Sequence, residues 1–93
     1  MIIAVMILDL FSESSHSLKD KRQIVSSIKE KLRKKFNISL IESDYQDLWQ
    51  KIQITIVMAT NKKALTEKVF NQIEEIIFSN YGVQILQIKR EYL

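Results

Sequence analysis

Apolar and polar positions along this chain repeat with two different periods, and the changes of period mark six elements. Ile2 to Leu10 is apolar on both alternations, with Ile2, Ala4, Met6, Leu8 and Leu10 on one face and Ile3, Val5 and Ile7 on the other, where Asp9 is the first polar residue. That pattern predicts a central strand whose all-apolar face meets the helices and whose second face is covered at least in part. Leu18, Val25, Ile28, Leu32 and Phe36, with Ile24 beside them, then recur at helical spacing. This helix should open at Ser17 as its N-cap, with Asp20 completing a capping box, and run to about Phe36, ending at Asn37, a residue that tolerates the left-handed conformation of a C-cap.

Ile38 to Ser43 alternates as a strand, Asp44-Tyr45-Gln46-Asp47 reads as a turn, and Leu48 to Ala59 reads as a long strand. In that strand Ile52, Ile54, Ile56 and Met58 form the core face, and Lys51, Gln53, Thr55 and Val57 the outer one. Thr60-Asn61 is expected to cap a second helix carrying Leu65, Val69, Ile73, Ile76 and Ile77, which Ser79-Asn80-Tyr81-Gly82 ends. Val83 to Leu93 is the last strand. Val83 and Ile85 lie on one of its alternations and Leu86 and Ile88 on the other, which leaves its inner face ambiguous and admits a bulge.

The order β-α-β-β-α-β, with a hairpin between the middle strands, predicts an α+β fold of the ferredoxin-like kind. Right-handed crossovers place both helices on one face of an antiparallel sheet ordered 4-1-3-2 and leave the other face open. The first strand's end, the first helix's start, the central hairpin and the second helix's end then share one pole. His16, Lys19, Lys21 and Arg22 are expected there beside Asp44, Gln46, Asp47 and Trp49, with Asn80 to Gly82 nearby.

Composition narrows the chemistry. The 93 residues suit one domain, 1–93, with a small core. With no Cys and one His, disulfides are excluded and a structural metal centre is not expected. The apolar start reaches Asp9 too soon to span a bilayer and has neither a basic leader nor a cleavage site, so it reads as a strand of a cytoplasmic protein. The net charge is +3, but the eight cations and two carboxylates between Lys19 and Lys35 carry +6 and leave the rest of the chain at −3. One basic helix on a mildly acidic body gives anionic partners a preferred side.

Ser15-His16-Ser17-Leu18-Lys19-Asp20-Lys21-Arg22, the basic helix, Phe36-Asn37-Ile38-Ser39, Asp44, Gln46-Asp47-Leu48-Trp49-Gln50 and the ending Lys89-Arg90-Glu91 together resemble the YlxP-like family of small bacterial proteins. The resemblance covers essentially the whole chain. It implies a cytoplasmic ferredoxin-like domain of unknown function, commonly encoded among translation and ribosome-maturation genes, with no established catalytic residues. Where members of that family often carry a charge in the middle of the first strand's outer face, this chain has Ile7.

Several residues are candidates for function. Ser14, Ser15 and Ser17, with Lys19, Lys21 and Arg22, would suit a phosphate at a helix N-terminus, although capping alone accounts for Ser17 and Asp20, and the cations could pair with Asp44, Asp47 and Asp9. Lys21 lies on the sheet-facing stripe and should snorkel along the sheet's end to an acidic neighbour at the pole. His16 has no partner set for acid-base chemistry, so a loop histidine making a backbone hydrogen bond is expected. Trp49, on the alternation of Lys51 and Gln53, should stand at the open face, to stack on a base or cover the hairpin. Lys29, Lys31, Arg33, Lys34 and Lys35 exceed what a helix end needs, and a phosphate backbone would use them. Ile3, Val5, Ile7 and Val57, with Ala59, are expected to form an apolar patch suited to self-association, unless the last strand covers it.

The expectation is therefore a non-enzymatic accessory protein without cofactors, binding structured RNA or a ribosomal particle through the basic helix and adjoining loops. The alternative is a structural or regulatory module that self-associates through its open sheet face into a homo-oligomer, with a small anion at the pole.

Overall fold

A computed structural model describes residues 1–80 and 82–93. The elements are β1 (Ile2–Phe11), α1 (Leu18–Lys35), β2 (Ser39–Asp44), β3 (Lys51–Thr60), α2 (Lys63–Asn80) and β4 (Gln84–Tyr92). The four strands form one antiparallel sheet ordered β2-β3-β1-β4, as the connectivity demanded. Ala4, Met6, Leu8 and Leu10 of β1 and Ile52, Ile54 and Ile56 of β3 have no exposed surface and pack with Ile28 and Leu32 of α1 and Phe70, Ile73 and Ile77 of α2. Both helices thus cover one face. The face carrying Ile3, Val5 and Ile7 is left open.

β4 contains the bulge. Asp9 pairs with Gln87 and Leu10 with Ile85, so Leu86 is the extra residue. The insertion changes the strand's parity and lets Ile85 and Ile88 both share the helix-covered face, paired with Leu10 and Leu8. Arg90 ties this strand to α2 through Glu74, through Asn71 at 2.8 Å and over the Phe70 ring at 5.5 Å. Partial burial disfavours its charge, but the hydrogen bond and charge of Glu74, with Tyr92, outweigh that and hold the Arg90 pKa above its ordinary value. On the open face Gln87 and Lys89 of β4 line one small pocket with Ile7, Asp9 and Gln53, and Ile3, Val5 and Ile7 are half-buried. The strand adds only Gln84, Gln87, Lys89 and Glu91 to the edge of that face, by register with Phe11, Asp9, Ile7 and Val5.

Four local expectations are corrected. α1 ends at Lys35 with Phe36 as an extended C-cap (φ −129°, ψ 147°), so Asn37 takes no left-handed role. Phe36 is an anchor instead: it is half-buried against the core, and its N–H donates to the Leu32 carbonyl at 2.8 Å. β3 begins at Lys51 rather than Leu48, because Tyr45 turns the chain with φ 62° and the loop runs on through Gln50. α2 begins at Lys63, and Thr60 belongs to β3, where its hydroxyl meets that of Thr66 at 2.6 Å. Leu65 is 48% exposed, and the buried stripe is Thr66, Phe70, Ile73 and Ile77. Thr66 can be buried because Thr60 and the Lys62 carbonyl satisfy its hydroxyl. At the other end of α2, Gly82 adopts φ 61°, open to glycine without steric cost, while Tyr81 lies outside the described residues.

Candidate nucleic-acid interface

The pole forms where three segments meet. The loop after β1 is tied to the β2–β3 hairpin by Ser12 N–H to the Gln50 carbonyl (2.8 Å) and Gln50 Nε2 to the Glu13 carbonyl (3.1 Å). α1 starts above them. Ser17 Oγ accepts the Asp20 N–H at 3.0 Å, as the capping spacing required, while the Asp20 carboxylate takes the His16 N–H at 3.1 Å, one residue earlier than in a standard box. The helix's own carboxylate therefore stands where an anion would bind. Ser15 is buried with its hydroxyl on the Ser17 carbonyl and Ser17 is occupied as the cap, so two of the three hydroxyls proposed for a phosphate are engaged within the chain.

Lys21 is 1% exposed, and its Nζ reaches the Tyr45 carbonyl at 2.6 Å, Glu42 Oε2 at 3.0 Å, the Gln46 carbonyl at 3.3 Å and the Lys51 carbonyl at 3.4 Å. An ammonium has three donors, so these oxygens saturate it and none is left for a ligand. The expected snorkelling is present, with Glu42 as the acid instead of Asp44, Asp47 or Asp9. This removes Lys21 from the set offered to nucleic acid and makes it the bolt between α1 and the hairpin. Glu42 was legible in principle: it pairs with Ile54 on the core face, as Leu40 does with Ile56, and a carboxylate on a core alternation needs a cation.

The hairpin residues take separate places. Asp44 Oδ1 accepts the Tyr45 N–H at 2.7 Å, and Gln46 Nε2 donates to the Glu42 carbonyl at 3.3 Å. Trp49 lies in the loop, 56% exposed, and lines a shallow pocket of about 440 Å³ with Phe11, Asp47, Leu48, Gln50 and Lys51. Phe11 and Lys51 pair across β1 and β3 on the outer alternation, so Trp49 does stand at the pole end of the open face, though not as a strand residue. His16 is exposed, and its main-chain N–H donates to the Asp20 carboxylate.

The basic helix divides into two flanks. Lys19, Arg22, Lys29 and Arg33 recur at three, ten and fourteen positions, which keeps them within about 80° of arc over roughly 21 Å of helix. Two grooves with Ser26 and Glu30 in common join them: one holds Lys19, Arg22, Gln23 and Ser27, the other Lys29, Arg33 and Lys34. Arg33 also donates to the Leu40 carbonyl at 3.2 Å, which fixes this flank beside the β2 edge. Lys34 pairs with Glu30 at 3.0 Å in an exposed i,i+4 contact. Helical periodicity puts Lys31 and Lys35 on the other flank, and Lys35 borders α2 at Gln72, Glu75, Ile76 and Ser79. The eight cations and His16 proposed from sequence are thus not one surface: one stripe carries four of the cations, Lys21 is internal and Lys31 and Lys35 face elsewhere.

A polar row unseen in the sequence crosses the open face. Thr55 Oγ1 donates to Ser43 Oγ at 2.7 Å, Ser43 to Gln53 Oε1 at 2.9 Å, and Gln53 Nε2 to Asp9 Oδ1 at 2.9 Å. It separates the apolar patch of Ile3, Val5, Ile7 and Val57 from the aromatic end at Phe11 and Trp49. Among the described residues no group of His, Cys, Asp and Glu could hold a metal ion, and no helix is long and apolar enough to cross a membrane.

Comparison with known proteins agrees with the motifs. The chain is 35% identical over 63 residues, 68% of either chain, to "Uncharacterized protein YlxP" of Bacillus subtilis (strain 168). Its fold is similar to the de novo designed protein Foldit4 (TM-score 0.55, 12% identity, 100% of this chain and 97% of that one). It is also similar to At3g17210 of Arabidopsis thaliana (TM-score 0.52, 10% identity, 98% and 92% of the two chains). At these identities the structural likeness is one of fold alone. A family model described as "Protein of unknown function (DUF503)" matches residues 3–90, and the chain belongs to that family.

Proposed function

We propose that this protein is a non-enzymatic, cytoplasmic accessory factor that binds structured RNA, in a ribosomal particle or a part of one, through the outer stripe of α1. The observation that carries the reading is the alignment of Lys19, Arg22, Lys29 and Arg33 on one flank over roughly 21 Å. Ser26 lies among these cations with little bulk to keep a sugar-phosphate backbone away, and Glu30 in the same grooves is paired with Lys34. Phosphate contacts of this kind supply affinity with little sequence preference, which suits recognition of RNA by shape. The exposed His16 and the hairpin with Gln46, Asp47 and Trp49 adjoin the start of the stripe and would orient the complex.

The test is binding of purified ribosomal subunits or a structured ribosomal RNA fragment by charge-reversal variants. Arg22→Glu with Lys29→Glu should weaken binding by roughly tenfold or more, because two phosphate contacts become repulsions. Lys31→Glu with Lys35→Glu makes the same change in net charge on the other flank and should cost much less. Equal losses in the two pairs, or no loss in the first, would refute a stripe-specific interface.

A further inference from the structure

RNA binding by α1 leaves the open sheet face unused. On it Ile3, Val5 and Ile7 of β1 pair with Ala59, Val57 and Thr55 of β3, and Ile41 of β2 lies beyond Thr55. Val57 and Ile41 are exposed, and no layer covers them among the described residues. A central strand apolar on both alternations is the pattern of a strand buried on both faces, and a patch of this extent is seldom left open in a monomer. We propose that a second copy of this chain covers it, the two sheets packing face to face about a two-fold axis that crosses the strands between the Val5 and Ile7 rows.

The distribution of charge selects a second copy over other occupants. β4 sets Glu91 beside Val5 and Lys89 beside Ile7 on the same face. Both are exposed, and neither makes an ion pair among the described residues. A two-fold axis between these rows lays Glu91 of each copy opposite Lys89 of the other, so the pair forms twice. The same operation sets Val5 against Ile7 and Val57 against Thr55, apolar side chains against a methyl-bearing row. Asp9, held by Gln53, falls at the rim, where water reaches its free oxygen.

The area is sufficient for a specific, concentration-dependent dimer. Four strands at about 4.8 Å and nine overlapping residues at about 3.3 Å give a contact of roughly 19 by 30 Å, or about 1,100 Å² counted on both copies. α1 lies on the opposite face, so the basic stripes remain free and the two surfaces can be tested apart.

Sedimentation velocity over a wide range of protein concentration tests the proposal. The wild-type chain should move from monomer to dimer as concentration rises. Lys89→Glu and Glu91→Lys should each weaken self-association by roughly tenfold, because two-fold symmetry turns one substitution into two like-charge contacts. Lys89→Glu with Glu91→Lys together should restore it. Ile7→Arg should stay monomeric with an unchanged far-ultraviolet spectrum, and if that variant misfolds, the charge swap still decides. A wild-type chain that is monomeric at every concentration overturns the proposal, as does a double swap no better than its single variants.

Discussion

A buried ammonium is tolerated only when oxygens replace its lost hydration, and Lys21 meets this condition with Glu42 and the carbonyls of Tyr45, Gln46 and Lys51. Tyr45 is also the one described non-glycine residue with positive φ, at 62°, a conformation that costs about 1 kcal/mol or more. The same carbonyl accepts from Lys21 and from the Leu48 N–H at 3.0 Å, so the bolt and the tight turn hold one another in place. Lys21→Met should destabilise the fold by about 3 kcal/mol in urea unfolding, since Glu42 and three carbonyls lose their cation. In a double-mutant cycle with Glu42→Gln the two losses should fall well short of additive. Additive losses would mean that the ion pair contributes nothing. Lys21's place was legible from its position on the helix stripe. Its acid was not found, because Asp44 and Asp47 drew attention by lying in the turn while Glu42, on the Leu40 alternation, looked like an ordinary edge-strand residue.

At the scale of elements, what could be read was parity, and what could not was where each element stops. The alternation of β1 and β3 identified their core faces residue by residue, whereas the conflicting parities of Val83, Ile85 and Ile88 admitted a bulge in β4 without fixing its inner face. Deleting Leu86 should be destabilising, because either Ile85, which packs against the core, or Ile88, already 36% exposed, must then change face. Leu86→Ser should be nearly neutral, since that side chain is 49% exposed. Thermal unfolding of the two variants compares them directly, and a well-folded deletion would show that the register is not set there. Ends failed for local reasons. The turn at Tyr45 needs more chain than Asp44 to Asp47, which removed Leu48 and Trp49 from β3. In α2, Thr66 could replace Leu65 on the buried stripe only because Thr60, from another element, satisfies its hydroxyl.

For the whole molecule, the connectivity that puts both helices on one face also separates two surfaces of different chemistry, a cationic flank on α1 beside the β2 edge and an apolar field on the far side of the sheet. The fold and the pole were legible because topology follows from element order. The division of the basic helix was legible from helical spacing and was missed, because a charge count ignores azimuth. The most direct test of the central reading is co-sedimentation with ribosomal subunits over a series of salt concentrations. If Lys19, Arg22, Lys29 and Arg33 each meet a phosphate, the logarithm of the binding constant should fall against the logarithm of salt with a slope of about −3 to −4. Arg22→Glu with Lys29→Glu should bring that slope about 2 closer to zero. No association at low salt, or a slope that this variant leaves unchanged, would contradict the account.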